Sequence, residues 1–160
     1  MKKILLLLST MIVLTGCAHS YKLREGERKY ELDYFGEETY SELREEISDE
    51  DREELQLVME LADEAFSSFP DNEDSAKSKY GALWLYTGYD RDPNTCAEKH
   101  SLELETGNVS GNSGYVWVIY TQEYFDQNGK LLAGSWKVRS RWTVEKQNDE
   151  WKVTKISEPA

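Results

Sequence analysis

The chain begins Met1-Lys2-Lys3 and then runs apolar from Ile4 to Leu14, broken only by Ser9 and Thr10. A cationic start followed by an apolar stretch of this length predicts an export segment, because the stretch is too short to span a bilayer stably. Residues 18 to 46 are polar and highly charged, with scattered tyrosines at 21, 30, 34 and 40. They predict a tether whose one element is a short helix over Glu37 to Ile47, with Tyr40, Leu43 and Ile47 on one side. A clear helical period begins after Ser48. Leu55, Val58, Met59, Ala62, Phe66 and Phe69 recur at helical spacing, Ser48 can cap the free amides, and Pro70 ends the run. Met59 and the phenylalanines read as core filler rather than as a cofactor pocket. A second helix is expected from Glu73 to Tyr86, with Ala76, Tyr80, Leu83 and Trp84 as its apolar stripe and Gly88 as its stop.

From Ala97 the period changes to two. Leu102 and Leu104 alternate with Glu103 and Glu105, and Gly107, Asn108, Gly111 and Gly114 supply a turn. Tyr115 to Phe125 is rich in β-branched and aromatic residues, and Asp126-Gln127-Asn128-Gly129 suits a hairpin. In the next strand Trp136, Val138, Ser140, Trp142 and Val144 face one way, while Lys137, Arg139, Arg141, Thr143 and Glu145 face the other. Gln147-Asn148-Asp149 turns again into a last strand from Trp151 to Ser157. Helices followed by hairpin-linked strands predict an α+β domain, in which N-terminal helices pack on a curved antiparallel sheet of about four strands.

Composition sharpens this division. The 160 residues carry a formal charge of −12, and removing the first sixteen leaves 17 basic against 31 acidic groups, or −14. All 19 aromatic residues stay with the remaining 144, so they belong to the fold. A surface this acidic repels phosphate backbones, which excludes nucleic acid as an expected partner. The basic stripe of Lys137, Arg139 and Arg141 is conspicuous in such a chain. Cross-strand pairing with Glu123 or other acids is its expected account.

The export segment ends in Leu14-Thr15-Gly16-Cys17, which resembles the lipobox of bacterial lipoproteins. An ordinary secretory signal with a chance cysteine is the alternative. The resemblance implies cleavage before Cys17 and a thioether from its thiol to diacylglycerol. Two or three acyl chains would hold the protein firmly, since each buried methylene contributes about 0.8 kcal/mol. The implied location is the bacterial cell envelope, on the cell membrane or the outer membrane, facing outside the cytoplasm. The implied organisation is a signal peptide at 1–16, an acidic tether at 17–47 and a domain at 48–158. With Cys17 consumed, Cys96 has no partner for a disulfide and is expected to be a buried, inert thiol.

The last three strands, with Tyr115-Val116-Trp117-Val118, Trp142-Thr143-Val144-Glu145-Lys146 and the closing Trp151-Lys152-Val153-Thr154-Lys155-Ile156, are similar to those of the nuclear transport factor two-like superfamily, the cystatin-like roll. That resemblance implies a bent sheet wrapped round helices with a cone-shaped pocket at one end. Members include isomerases, hydratases and dehydratases as well as binding and assembly modules. The pocket candidates are Tyr86, Asp90, His100 and Tyr120. No catalytic residue is assigned. The inward row of the best strand holds no ionisable group, and His100 shares parity with Leu102 and Leu104, as a packed histidine would.

Other chemistry fails on inspection. Asp90-x-Asp92-x-Asn94 starts like a calcium loop but lacks the glycine at position six and the glutamate at twelve. No zinc spacing, phosphate-cradling glycine loop or Gly-x-Ser-x-Gly occurs, so no metal and no cofactor are expected. The sequence thus points to an anchored lipoprotein that binds a small ligand or a protein partner without catalysis. An isomerase or hydratase acting in the cone is the alternative. The oligomeric state is left open.

Overall fold

The computed structural model describes residues 25–159; the export segment and Cys17 lie outside them. Four α-helices precede a four-stranded antiparallel sheet: α1 Glu25–Phe35, α2 Glu37–Ser41, α3 Asp49–Phe66, α4 Glu73–Tyr80, then β1 Ala97–Ser110, β2 Ser113–Phe125, β3 Leu131–Gln147 and β4 Glu150–Ser157. Short 3₁₀ segments follow α2 at Glu42–Arg44 and α4 at Gly81–Tyr86. The strands pair in sequence order, β1-β2-β3-β4, as an open meander. The fold is α+β.

Helix starts follow local chemistry. Ser48 Oγ accepts the Asp51 amide at 3.0 Å, and Asn72 Oδ1 accepts the Ser75 amide at 2.9 Å, each satisfying an otherwise unpaired first-turn donor. The second helix stops earlier than its apolar stripe suggested. Gly81, at φ +58°, ends α4, and a β-carbon there would stand 3.2 Å from the Val153 carbonyl oxygen. Only a residue without a side chain both takes that left-handed turn and lets the chain approach β4. Gly88 instead lies against the Phe69 ring, where a β-carbon would come within 2.5 Å. Phe69 itself lies beyond the end of α3 and is 39% exposed, outside the core.

The sheet departs from the expected strand pattern in three places. First, β1 continues straight through Gly107 and Asn108, so the turn narrows to Gly111 and Asn112, with Gly111 at φ +62°. Second, Cys96 is exposed rather than buried, because it stands where the chain enters β1, its amide bonded to the Phe125 carbonyl at 2.8 Å. Third, Trp136 is 54% exposed and does not join the inward row of β3. Lys137 adopts φ +51°, and the register against β2 shifts between Tyr120 and Gln122. This irregularity breaks the alternation and places Trp136 beside Glu123, to which its indole N–H donates at 2.8 Å.

One face of the sheet carries Val116, Val118, Tyr120, Trp142, Val144 and Val153 against Leu55, Val58, Ala62 and Phe66 of α3 and Leu83 beyond α4. The opposite face is covered by the segment expected to be a tether. Its described residues form two α-helices where one was expected. Gly36, at φ +80°, separates α1 from α2; the pair folds onto β2 and β3, and the 3₁₀ segment and Glu45 after it reach β1 and β3.

Candidate functional site

At one end of the inner face the sequence candidates Tyr86 and Tyr120 meet, with ring centroids 5.0 Å apart. Phe66 stacks on Tyr86 at 4.5 Å and packs on Tyr120 at 5.2 Å, while Trp142 lies 5.6 Å from Tyr86. Tyr86 ends the 3₁₀ segment after α4, and Tyr120 and Trp142 project inward from β2 and β3. Four rings therefore pack together at this end of the inner face.

Their polar atoms form a closed set. The Trp142 indole N–H lies 3.0 Å from Tyr86 Oη and 2.9 Å from Ser140 Oγ, donating to both. Tyr86 and Ser140 hydroxyls are 3.0 Å apart, and Tyr86 donates to Glu158 Oε2 at 2.9 Å. Tyr120 donates to Glu158 Oε1 at 3.3 Å. One carboxylate from the chain's end is thus clasped by two phenols. Gln122 closes the other side by donating to the main-chain oxygens of Tyr86 at 2.9 Å and Phe66 at 3.3 Å. Burial, and then the charge of Glu158, push both phenols well above the ordinary tyrosine range, although Ser140 and Trp142 pull Tyr86 back somewhat. These hydroxyls remain protonated donors and do not act as bases.

His100 lies along the same face, stacked on Phe66 at 5.3 Å. Its Nε2 meets Asp63 Oδ1 at 2.9 Å and its Nδ1 meets Glu98 Oε1 at 3.1 Å. With an acceptor at each nitrogen, the doubly protonated ring is the form that satisfies both contacts. Burial opposes that charge, but the bonds and charges of Asp63 and Glu98 outweigh it and raise the pKa. The histidine ties β1 to α3, and neither nitrogen is left to serve a substrate. Asp90 lies exposed in the loop before β1 and takes no part in the Tyr86 network. The calcium-like Asp92 instead accepts the Asn94 amide at 2.7 Å, holding a turn. Among the described residues no group of three or more histidine, cysteine, aspartate or glutamate side chains is placed to hold a metal.

Ser140 and Glu158 were not among the candidates. A lone hydroxyl in the inward row of a strand must find a partner, and that signal was present at Ser140. Glu158 gave none, because it follows the last strand and no periodicity covers it.

The outer face holds the denser charge. Arg139 is 6% exposed and donates through Nε and Nη2 to Glu105 at 2.6 and 2.8 Å, and through Nη1 to Glu31 of α1, itself 7% exposed. Arg141 makes a two-pronged pair with Glu42 at 2.7 and 2.8 Å. Glu42 also accepts the indole N–H of fully buried Trp117 at 2.8 Å, and Phe35 packs edge-on against that ring at 4.7 Å. Tyr115 donates to Glu45 at 2.7 Å, and Thr106 donates to the Glu45 carbonyl at 2.7 Å. The basic stripe is therefore neutralised mainly by acids of the N-terminal segment. Of the acids on the sheet, Glu105 meets Arg139, while Glu123 accepts the Trp136 indole N–H. Beside Arg141, an open cleft of 260 Å³ is lined by Tyr34, Phe35, Thr39, Arg141, Lys155 and Ser157.

Comparison with known proteins bears on the two ends of the chain differently. The family model for the prokaryotic membrane lipoprotein lipid attachment site matches residues 1–18, which contain Cys17. No curated protein sequence matches the chain. Among solved structures, the crystal structure of the intermembrane space region of the chloroplast protein ARC6 is similar at 15% identity and a TM-score of 0.46, covering 68% of this chain and 95% of that one. Among the described residues no helix is long and apolar enough to cross a membrane. The lipid attachment site makes this chain a bacterial lipoprotein, anchored to a membrane and facing outside the cytoplasm.

Proposed function

We propose that this lipoprotein is a non-catalytic binding module. Acylated Cys17 fixes it to the membrane, the stretch between Cys17 and α1 links the anchor to the domain, and residues 48–158 form a nuclear transport factor two-like roll on which α1 and α2 dock. The observation that carries the reading is the packed inner end, where Phe66, Tyr86, Tyr120 and Trp142 fill the place at which a roll would open into a cone. An isomerase or hydratase needs a positioned acid or base within reach of its substrate. Here the phenols, the serine, the indole and the Glu158 carboxylate bond to one another, and both nitrogens of His100 face carboxylates. That arrangement supports holding a ligand or partner at the surface, without turnover in the cone.

Native mass spectrometry of the protein extracted in mild detergent from its host's membranes tests this reading. The expected spectrum is a chain starting at Cys17 with added acyl mass and one non-covalent companion, which Tyr86→Phe retains. An unmodified Cys17, a chain still carrying residues 1–16, a bare chain, or a companion lost in Tyr86→Phe contradicts it.

A further inference from the structure

We propose that the outer-face cleft binds a small oxyanion, a molecule presenting a phosphate or carboxylate group. The proposal rests on the binding reading above and gives it a site. Three elements build the walls: Tyr34 and Phe35 from α1, Thr39 from α2, and Arg141, Lys155 and Ser157 from the neighbouring strands β3 and β4. Arg141 pairs in register with Ser157, and Thr143 with Lys155, so these side chains share one face of the sheet.

The cleft is rich in unused donors. Arg139, Arg141, Lys146 and Lys152 on these two strands each touch a carboxylate. Lys155 is exposed, and among the described residues no carboxylate lies within 4.0 Å of its ammonium group. Glu42 neutralises Arg141, so Lys155 leaves the cleft with one net positive charge. A guanidinium has five N–H groups. In Arg141 two of them bond Glu42 and one leans on Thr143 at 3.4 Å, which leaves two more. The Thr39 and Ser157 hydroxyls complete the set. A ligand that meets an ammonium, guanidinium N–H groups and hydroxyls must supply acceptors, and a phosphate or carboxylate supplies acceptors only. Tyr34 and Phe35 form an apolar wall suited to the ligand's carbon body.

Size and field narrow the class. At 260 Å³ the cleft is below the range of about 300–1,000 Å³ usual for drug-sized ligands, so the fit is to a small molecule. The acidic chain repels anions at long range, but ions screen that field over about 8–10 Å. Contacts inside the cleft therefore decide affinity, while polyanions are disfavoured. The walls belong both to the N-terminal helices and to the sheet. A bound anion would hold α1 and α2 in place.

Calorimetric titration of the acylated protein in neutral detergent with phenyl phosphate and with benzoate tests the site. A parallel arm uses vesicles with and without phosphatidylglycerol. Saturable one-to-one binding of a free anion is expected, weakened at least tenfold by Lys155→Gln and severalfold by Ser157→Ala. Lys99→Gln, on the same face but outside the cleft, should leave it unchanged. A response to anionic vesicles alone that Lys155→Gln abolishes also supports the site and identifies the anion as a lipid headgroup. No saturable binding of any probe, or binding that Lys155→Gln leaves intact, overturns the proposal. If the native companion persists in that case, the binding reading stands and only its placement in the cleft fails.

Discussion

The two faces of the sheet are closed by different physics. The inner face meets α3 through aliphatic and aromatic side chains, and its few polar atoms are satisfied within the Tyr86 network. The outer face meets the N-terminal helices through Arg139 and Arg141, which pair with Glu31 of α1, Glu42 of the 3₁₀ segment and Glu105 of β1, with Trp117 as the main fully buried ring. Apolar burial is non-directional and tolerates exchange of similar shapes. A buried ion pair gives little net stability over an apolar substitute, yet losing one partner is expensive, because the remaining charge stays desolvated. The inner face therefore supplies stability, while the outer face specifies which segment docks and in what register. Helices of 11 and 5 residues are too short to persist alone in water, so α1 and α2 depend on that docking.

This contrast can be broken from either side. Trp142→Ala removes the largest inner side chain and should cost about 3–5 kcal/mol in urea unfolding, with the whole domain affected. Arg139→Ala is next, at about 3 kcal/mol, since Glu31 and Glu105 would face each other without a cation. Replacing that triad together, with Arg139→Met, Glu31→Leu and Glu105→Leu, should recover most of the loss. Failure to recover would mean that the outer face depends on its charges for stability as well as for register. Arg141→Ala should cost about 1–2 kcal/mol, as its pair with Glu42 is partly open to solvent, with side chains 20% and 19% exposed.

Smaller effects follow from His100 and Trp136. The raised pKa of His100 means that its tie is complete below the unfolded value of 6.5 and is lost as pH climbs through the higher folded value. Thermal stability should fall across that window, and His100→Gln should flatten the profile. A profile unchanged by the substitution would remove the histidine from the account. Trp136→Ala should change stability by no more than about 0.5 kcal/mol, because the ring is exposed and its indole bonds Glu123 at the surface.

The same contrast explains what could be read from the sequence. Period 3.6 in α3 and period two in β2 and β3 reveal the inner face, because burying one side of an element imposes that repeat. Leu55, Val58, Ala62 and Phe66 are where their spacing puts them. The outer face has no comparable signature. Glu31 and Glu42 sit among other acids in a polar segment, and nothing local distinguishes a carboxylate that will meet an arginine some hundred residues away from one that stays solvated. Alternation puts Trp136 in the inward row because it carries no sign of the irregularity at Lys137. Of the pocket candidates, Tyr86 and Tyr120 were legible as aromatics next to the core. Their common partner Glu158 was not, since only the path of β4 brings it there.

Native-state hydrogen exchange on the Arg139→Ala protein tests the central claim most directly. The account predicts that amides of α1 and α2 lose protection by at least tenfold while those of α3 and β2 keep it to within about twofold of the parent. Uniform loss across both faces, or full protection retained in α1 and α2, would contradict the claim that the N-terminal helices are held on the sheet by this buried ion-pair seam.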